Sequence, residues 1–314
     1  MDNQSSGFAQ GVAALLADLS AQKYQFTTVT PATHERVVSR EKDAVAQTLR
    51  DAFGWNLPFQ RSLLRLGLHA QLHAANVIKP CGDLWLSNVR VASLGEQLLV
   101  HSAYPTDQAD AVFFGPDTYR FVAAISRRLV AGQPVTRAAD IGCGTGAAGL
   151  FIARAFPKAE VFLGDINERA LQFAMINAAA ADANNVLVQY SDILSQLPGD
   201  FDFIVANPPY MLDAAQRAYR DGGSGHGTEL SLRILAATLE RLSPQGVGLI
   251  YTGAPVCRGV DIFHARAEQL LTQHAARWSY EEIDPDVFGE ELEQATYADV
   301  ERIAAVVIEF QKGE

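Results

Sequence analysis

Hydrophobic positions in this chain keep two rhythms. In residues 8–24 they fall at Val12, Leu15, Leu16 and Leu19, the spacing of one helix face. Residues 27–31 break the rhythm, and residues 34–53 resume it with mixed charge until Pro58 ends the segment. Residues 59–77 predict a further helix carrying Leu63, Leu64, Leu66, Leu68 and Leu72. Pro80-Cys81-Gly82-Asp83 reads as a turn. Residues 84–91 then read as a strand, Leu94-Gly95-Glu96 reverses the chain, and residues 97–101 return to complete a hairpin.

From Val135 the rhythm changes. Short apolar runs at 135–140, 160–165, 186–190, 201–206 and 247–252 predict strands. Helical spacing at 147–156, 168–181, 228–242 and 262–274 predicts helices among them. Strands near 278–283 and 302–310 have no helical period between them, so they should form an antiparallel end hairpin. Alternating strands and helices make an α/β fold, doubly wound around a mostly parallel sheet. The 314 residues exceed one ordinary core. Two domains are therefore expected: residues 1–110, helical with a β-hairpin, and residues 111–314, the α/β part. The first should serve substrate recognition or dimerisation, unless it is only a stabilising lid. Residues 110–118, D-A-V-F-F-G-P-D-T, link the two, and a helix should start there with Asp117 as its cap and run through Leu129.

Composition narrows the classes. Hydrophobic residues are 48% and charged residues 19% of the chain, which fits a globular protein. The start, M-D-N-Q-S-S-G, lacks the basic and apolar regions of a secretory signal, and no apolar run approaches a membrane span. Cys81, Cys143 and Cys257 are scattered with no C-x-x-C pair; this suits a reducing, cytoplasmic setting and argues against disulfides and a zinc site. His69 and His73, four apart, would share a helix face, where a surface or interface role is favoured over a metal pair. The net charge is −11, and Arg127-Arg128 is the only adjacent basic pair. A nucleic-acid partner is therefore disfavoured against a protein or small-molecule one, though not excluded.

The candidate chemistry lies where strands end. The run V-T-R-A-A-D-I-G-C-G-T-G-A-A-G at 135–149 is a strand, a glycine turn (Gly142, Gly144, Gly146) and a helix start. Residues 144–149 also fit the dinucleotide pattern G-x-G-x-x-G, with Asp165 near the ribose-binding distance. Asp140, however, would meet a pyrophosphate with negative charge and suits a cationic amino group better. Cys143 reads as a small residue filling the turn, with no base near it in sequence. Farther on stands Asn207-Pro208-Pro209-Tyr210.

Together D-I-G-C-G-T-G at 140–146, G-D-I at 164–166, S-D-I-L at 191–194 and N-P-P-Y at 207–210 resemble the class I S-adenosylmethionine-dependent methyltransferases. The similarity is to the N-P-P-Y amino-methyltransferases, which include the release-factor glutamine methyltransferases and the small-domain RNA guanine methyltransferases. It covers roughly residues 112–255. It implies a seven-stranded Rossmann-like methyltransferase sheet, with S-adenosylmethionine as cofactor and S-adenosylhomocysteine as product. It places Asp140, Gly142, Cys143, Gly144, Gly146, Asp165, Ile166, Asp192, Ile193 and Asn207 against the cofactor, with Asp165 on the ribose and Asp192 at the adenine amino group. Ile166 and Ile193 would sandwich the ring. Pro116 and Thr118 would belong to a turn over the cofactor, although helix capping alone also explains that turn. Asn207, Pro208, Pro209 and Tyr210 would be the catalytic set.

The implied target is a planar amino group with a delocalised lone pair. The Asn207 side-chain oxygen and the Pro208 carbonyl can each accept one of its N–H groups, and Tyr210 offers a flat face. No metal is required. The acceptor is expected to be a protein glutamine amide or a similar amide. The alternatives are a nucleic-acid base amine or a small metabolite. Outside this class stand a non-catalytic cofactor-binding protein and a nicotinamide oxidoreductase. Residues 218–228, A-Y-R-D-G-G-S-G-H-G-T, suit a lid, with Arg220, Asp221 and His226 as candidate substrate contacts alongside a plain solvated-loop reading.

Overall fold

The computed structural model describes residues 3–40, 44–129, 134–213, 217 and 219–312. Helix α1 (Asn3–Ala21) buries Val12, Leu15, Leu16 and Leu19, as their spacing predicts. The helix predicted over 34–53 is instead two short ones, α2 (Pro31–Val38) and α3 (Leu49–Phe53); residues 41–43 of that segment lie outside the described residues. Each has its own start. Thr30 Oγ1 accepts from the Thr33 N–H, and Thr48 and Asp51 form a reciprocal capping box. Between them the Ala46 N–H donates to the Pro58 carbonyl at 2.8 Å, which holds the chain extended.

The helix predicted over 59–77 shortens for a similar reason. Phe59 exchanges backbone hydrogen bonds with Trp85, at 2.8 and 2.9 Å, so only α4 (Leu66–Ala74) and a single 3-10 turn at Arg61–Leu63 are helical. The predicted strand 84–91 breaks at Asn88. Strand β1 (Ile78–Cys81) pairs with β2 (Leu84–Ser87), and β3 (Val89–Leu94) pairs with β4 (Gln97–Ser102), giving two antiparallel hairpins where one was expected.

The remaining elements follow in order: α5 (Pro116–Leu129), β5 (Arg137–Ile141), α6 (Ala147–Ala155), β6 (Glu160–Asp165), α7 (Glu168–Ala180), β7 (Val186–Tyr190) and β8 (Phe201–Ala206). Then come α8 (Glu229–Arg241), β9 (Leu242–Cys257), β10 (Val260–Asp261), α9 (Ile262–Gln273), β11 (Arg277–Asp284) and β12 (Arg302–Gln311). The sheet runs β11-β12-β9-β8-β5-β6-β7, with short β10 paired to β9. Strands β7, β6, β5, β8 and β9 are parallel, while β12 is antiparallel to both β9 and β11. This is the expected α/β architecture with its antiparallel end. Strand order reverses at β5, whose neighbours are β6 on one side and β8 on the other, so a crevice opens beyond their carboxyl ends.

The N-terminal segment packs on this sheet through α7. Phe173, Ala170 and Ile176 share an apolar cluster with the buried face of α1. Asn177, fully buried, accepts from the Val100 N–H at 2.8 Å and donates to the carbonyls of Val100 and Thr145 at 3.2 and 2.9 Å. One amide thus ties β4 to the glycine turn after β5.

Candidate active site

Two strand ends build the site. In the parallel register of β5 and β8, Ile141 lies opposite Ala206, so the next residues, Gly142 and Asn207, leave the sheet side by side. After β5 the chain turns through Gly142, Gly144 and Gly146 at φ of +63°, +53° and +78°, a conformation that L side chains rarely adopt. The Gly146 N–H closes the turn on the Cys143 carbonyl at 2.7 Å. A Cβ on Gly146 would stand 2.9 Å from Leu163 Cδ1, so this glycine serves the packing of α6 on the sheet. Burial pushes the Cys143 thiol well above its ordinary range, which fits a filler better than a nucleophile.

Asp140 is the penultimate residue of β5, with its carboxyl buried. Its Oδ2 accepts the Gly149 N–H at 2.9 Å, near the start of α6. Burial pushes this carboxyl up to about 7; the Gly149 N–H pulls the other way, and the charge of Asp165 adds to the rise. Asp165, at the end of β6, accepts from the Gly144 N–H at 2.9 Å and the Asn167 N–H at 2.8 Å. Burial raises it too, against the pull of those backbone donors. It thereby pins the glycine turn to β6. Ile166 beside it is 53% exposed, a bare apolar surface next to a carboxylate. Beyond β7, Asp192 is exposed and Ile193 is held at φ +55°, a strained conformation for a β-branched residue. Ser191 braces it by donating to the Ile193 carbonyl at 3.0 Å.

After β8, Asn207 is half-buried, and none of the described residues hydrogen-bonds its side chain. Tyr210 departs from expectation. Its ring is buried, wedged against the backbone of Gly253 where a Cβ would collide with it, and Phe288 packs 6.1 Å away. Its hydroxyl donates to Asp117 Oδ2 at 2.6 Å. Asp117, predicted as a helix cap, turns inward instead. It takes Tyr210 on one oxygen, Tyr251 on the other at 2.8 Å, and Arg120 at 3.2 Å. The start of α5 is served by Pro116 and by Thr118 Oγ1, which accepts the Gly115 N–H at 3.4 Å. Tyr210 thus anchors the Asn-Pro-Pro turn to α5 and β9.

These pieces face one cleft of about 230 Å³. Thr118, Asp140, Gly142, Cys143, Gly144, Asp165, Ile166, Asp192, Ile193, Asn207, Pro208, Pro209 and Tyr210 all line it; Pro116 and Gly146 do not. Sequence reasoning missed part of the mouth, where Pro31, Phe113, Tyr219 and Phe288 converge from four segments. The Phe113 and Tyr219 rings stack at 5.9 Å. Phe113 sits in the linker already singled out, but nothing local marks the other three. Of the loop candidates, Arg220 lines the cleft and pairs with Glu291, whereas Asp221 and His226 stand outside it; Ala218 lies outside the described residues. His69 and His73 are remote from it. They pack on Trp85 at 4.3 and 4.8 Å between ring centroids, His69 buried rather than at the surface.

Residues 123–247 match the family model of the methyltransferase small domain. The release factor glutamine methyltransferase of Koribacter versatilis is 33% identical over 151 residues, 44% of this chain and 53% of that protein. That of Deinococcus radiodurans is 34% identical over 160 residues, 49% of this chain and 55% of that protein. The chain therefore spans about half the length of the curated relatives it matches. Among solved structures, Trm5b from Pyrococcus abyssi superposes over 92% of this chain and 72% of its own with a TM-score of 0.52 at 16% identity, a likeness of fold.

Proposed function

We propose that this chain, whose second half belongs to the class I S-adenosylmethionine-dependent methyltransferases, moves a methyl group onto the side-chain amide nitrogen of a protein glutamine. The observation that carries the reading is the shared cleft of the glycine turn and the Asn207-Pro208 turn, which begin side by side on β5 and β8. The cleft also suits the cofactor chemically. Glycines leave the backbone open, Asp140 can ionise toward a cationic amino group, Asp165 stands at the end of β6 for ribose hydroxyls, and Ile166 offers an apolar face to adenine.

S-adenosylmethionine supplies an electrophilic methyl on a positively charged sulfur. The protein's part is to orient the acceptor. An amide nitrogen is a poor nucleophile because its lone pair is shared with the carbonyl. Asn207 and the Pro208 carbonyl accept its two N–H bonds and hold the lone pair toward the methyl carbon. Pro208 and Pro209 carry no N–H and restrict the backbone, so the turn presents its carbonyl without a competing donor. The Tyr210–Asp117–Tyr251 contacts keep that turn in place. After transfer the nitrogen loses its extra proton to water or to a neighbouring acceptor, so no dedicated strong base is needed.

The names of the relatives favour a protein acceptor, specifically a glutamine in a translation factor. The net charge of −11 agrees, since a protein tracking RNA ordinarily carries basic patches. Labelled-methyl transfer into cell extract, separated into protein, RNA and small-molecule fractions, tests the reading. Label on glutamine in the protein fraction, lost with Asn207→Ala, is expected. Label in the RNA or small-molecule fraction would replace the acceptor, and none with any fraction would leave a binding protein.

A further inference from the structure

Outside the cleft lining, three segments far apart in sequence bring a thiol, an imidazole and a carboxylate together. His226 lies in the glycine-rich loop after the Asn-Pro-Pro turn, Cys257 at the end of β9, and Asp299 just before β12. One ligand atom from each lies within 4.8 Å of the other two, and His226 Nε2 stands 3.0 Å from Asp299 Oδ1. We infer that Cys257, His226 and Asp299 form a binding site for a divalent transition-metal ion of the zinc class.

The donor set selects the ion. Sulfur, nitrogen and oxygen donors at about 2.0–2.3 Å in a tetrahedron suit zinc, and the mixture disfavours calcium and magnesium, which want oxygen alone. Such a tetrahedron separates its ligand atoms by about 3.3–3.7 Å, so the groups need to close by about 1.5 Å at most. His226 and Asp299 are already closer than that and would open slightly as the ion replaces the shared proton. Three protein ligands leave the fourth position to water.

The turn that carries the imidazole is tight. Gly225, His226 and Gly227 all take positive φ, at +62°, +56° and +87°, a region in which histidine is among the better-tolerated non-glycine residues. Thr228 Oγ1 donates to the Gly225 carbonyl at 2.8 Å and fixes the turn. Cys257 is held at the end of β9, where the Glu301 N–H donates to the Val256 carbonyl at 2.8 Å and brings the segment carrying Asp299 alongside.

The consequence is a clasp on the loop. Gly222 and Gly227 press so closely on the backbone around Tyr210 that neither has room for a Cβ. Alongside these contacts and the Arg220–Glu291 pair, His226 joins the loop to the segment before β12 through Asp299. A metal bridging His226 to β9 and to the segment before β12 would fasten the loop over the Asn-Pro-Pro turn. The assignment does not depend on methyl transfer, because metal content is read without turnover.

The test uses the untagged 314-residue chain. Elemental analysis after desalting from Zn2+ should give one equivalent per chain. Titration with Co2+ should saturate at one equivalent with a thiolate-to-cobalt charge-transfer band. Cys257→Ala should abolish the band, and His226→Ala or Asp299→Asn should raise the Co2+ dissociation constant on the order of a hundredfold. His73→Ala should change neither, and circular dichroism should show each variant folded. Zn2+ should slow proteolysis within residues 219–228 for the parent chain but not for Cys257→Ala. No saturable Co2+ at one equivalent, or a band that survives Cys257→Ala, overturns the site. Metal uptake with loop cleavage unchanged overturns the clasp.

Discussion

Asp140 and Asn207 mark the residue scale most sharply. A buried carboxyl displaced from an ordinary 3.8 to about 7 binds its proton more tightly folded than unfolded. Its contribution therefore favours the fold at low pH and is lost as pH rises through about 7. Binding a cationic amino group needs the ionised form, so the two requirements oppose each other. Affinity for S-adenosylhomocysteine should rise between pH 6 and 8 with release of a proton, visible as buffer-dependent heat in calorimetry. Asp140→Asn should flatten that dependence, weaken binding and leave the ligand-free chain more stable at pH 8. Asn207→Ala should lower turnover by about a hundredfold or more with the cofactor dissociation constant nearly unchanged. Asp165→Ala should weaken cofactor binding, and more than a lost ribose contact alone would, because it also frees the Gly144 N–H that pins the glycine turn. A methyl-transfer assay beside calorimetry separates the two; equal loss of binding in both would count against the roles assigned.

At the scale of elements, the catalytic turn depends on α5 and β9 as much as on its own four residues. Tyr210→Phe removes one hydrogen bond from a fully buried carboxyl and should cost on the order of 1–3 kcal/mol in urea unfolding. Gly253→Ala places a methyl against the Tyr210 ring and should lower turnover while leaving cofactor binding largely intact. Local periodicity could not foresee this network, since Asp117 at a helix start looks like a cap until Tyr210 and Tyr251 are brought to it from 93 and 134 residues away. The same limit governs the broken helices of the first segment. The stretches 34–53 and 59–77 have a helical rhythm, but backbone pairing of Ala46 to Pro58 interrupts the first and that of Phe59 to Trp85 shortens the second.

Over the whole molecule, the N-terminal segment and the sheet behave as packed partners. Asn177→Ala would strand the Val100 N–H and two carbonyls in the interior and should destabilise the chain by about 3 kcal/mol, read from thermal or urea unfolding. The first segment also carries an acid-sensitive core. Burial lowers His34 from 6.5 to about 4 and pushes fully buried His101 well down. A depressed histidine leaves stability intact above pH 6.5 and removes it as pH falls toward the folded value, because the unfolded chain takes the proton first. His34 alone should account for a loss of about 3 kcal/mol between pH 7 and 4. Melting followed across that range should show a steeper decline than His34→Phe does.

The parallel α/β order, the antiparallel end and the strand-end positions of Asp140, Asp165, Asp192 and Asn207 were readable in the chain, because each follows from short-range periodicity and from glycines and prolines that restrict the backbone locally. That Asn207 opens beside Gly142, that Asp117 serves Tyr210 rather than a helix end, and that Cys257, His226 and Asp299 meet were decided by tertiary structure alone. Those pairings span tens to well over a hundred residues, and only sheet order and core packing bring such distant groups within bonding distance.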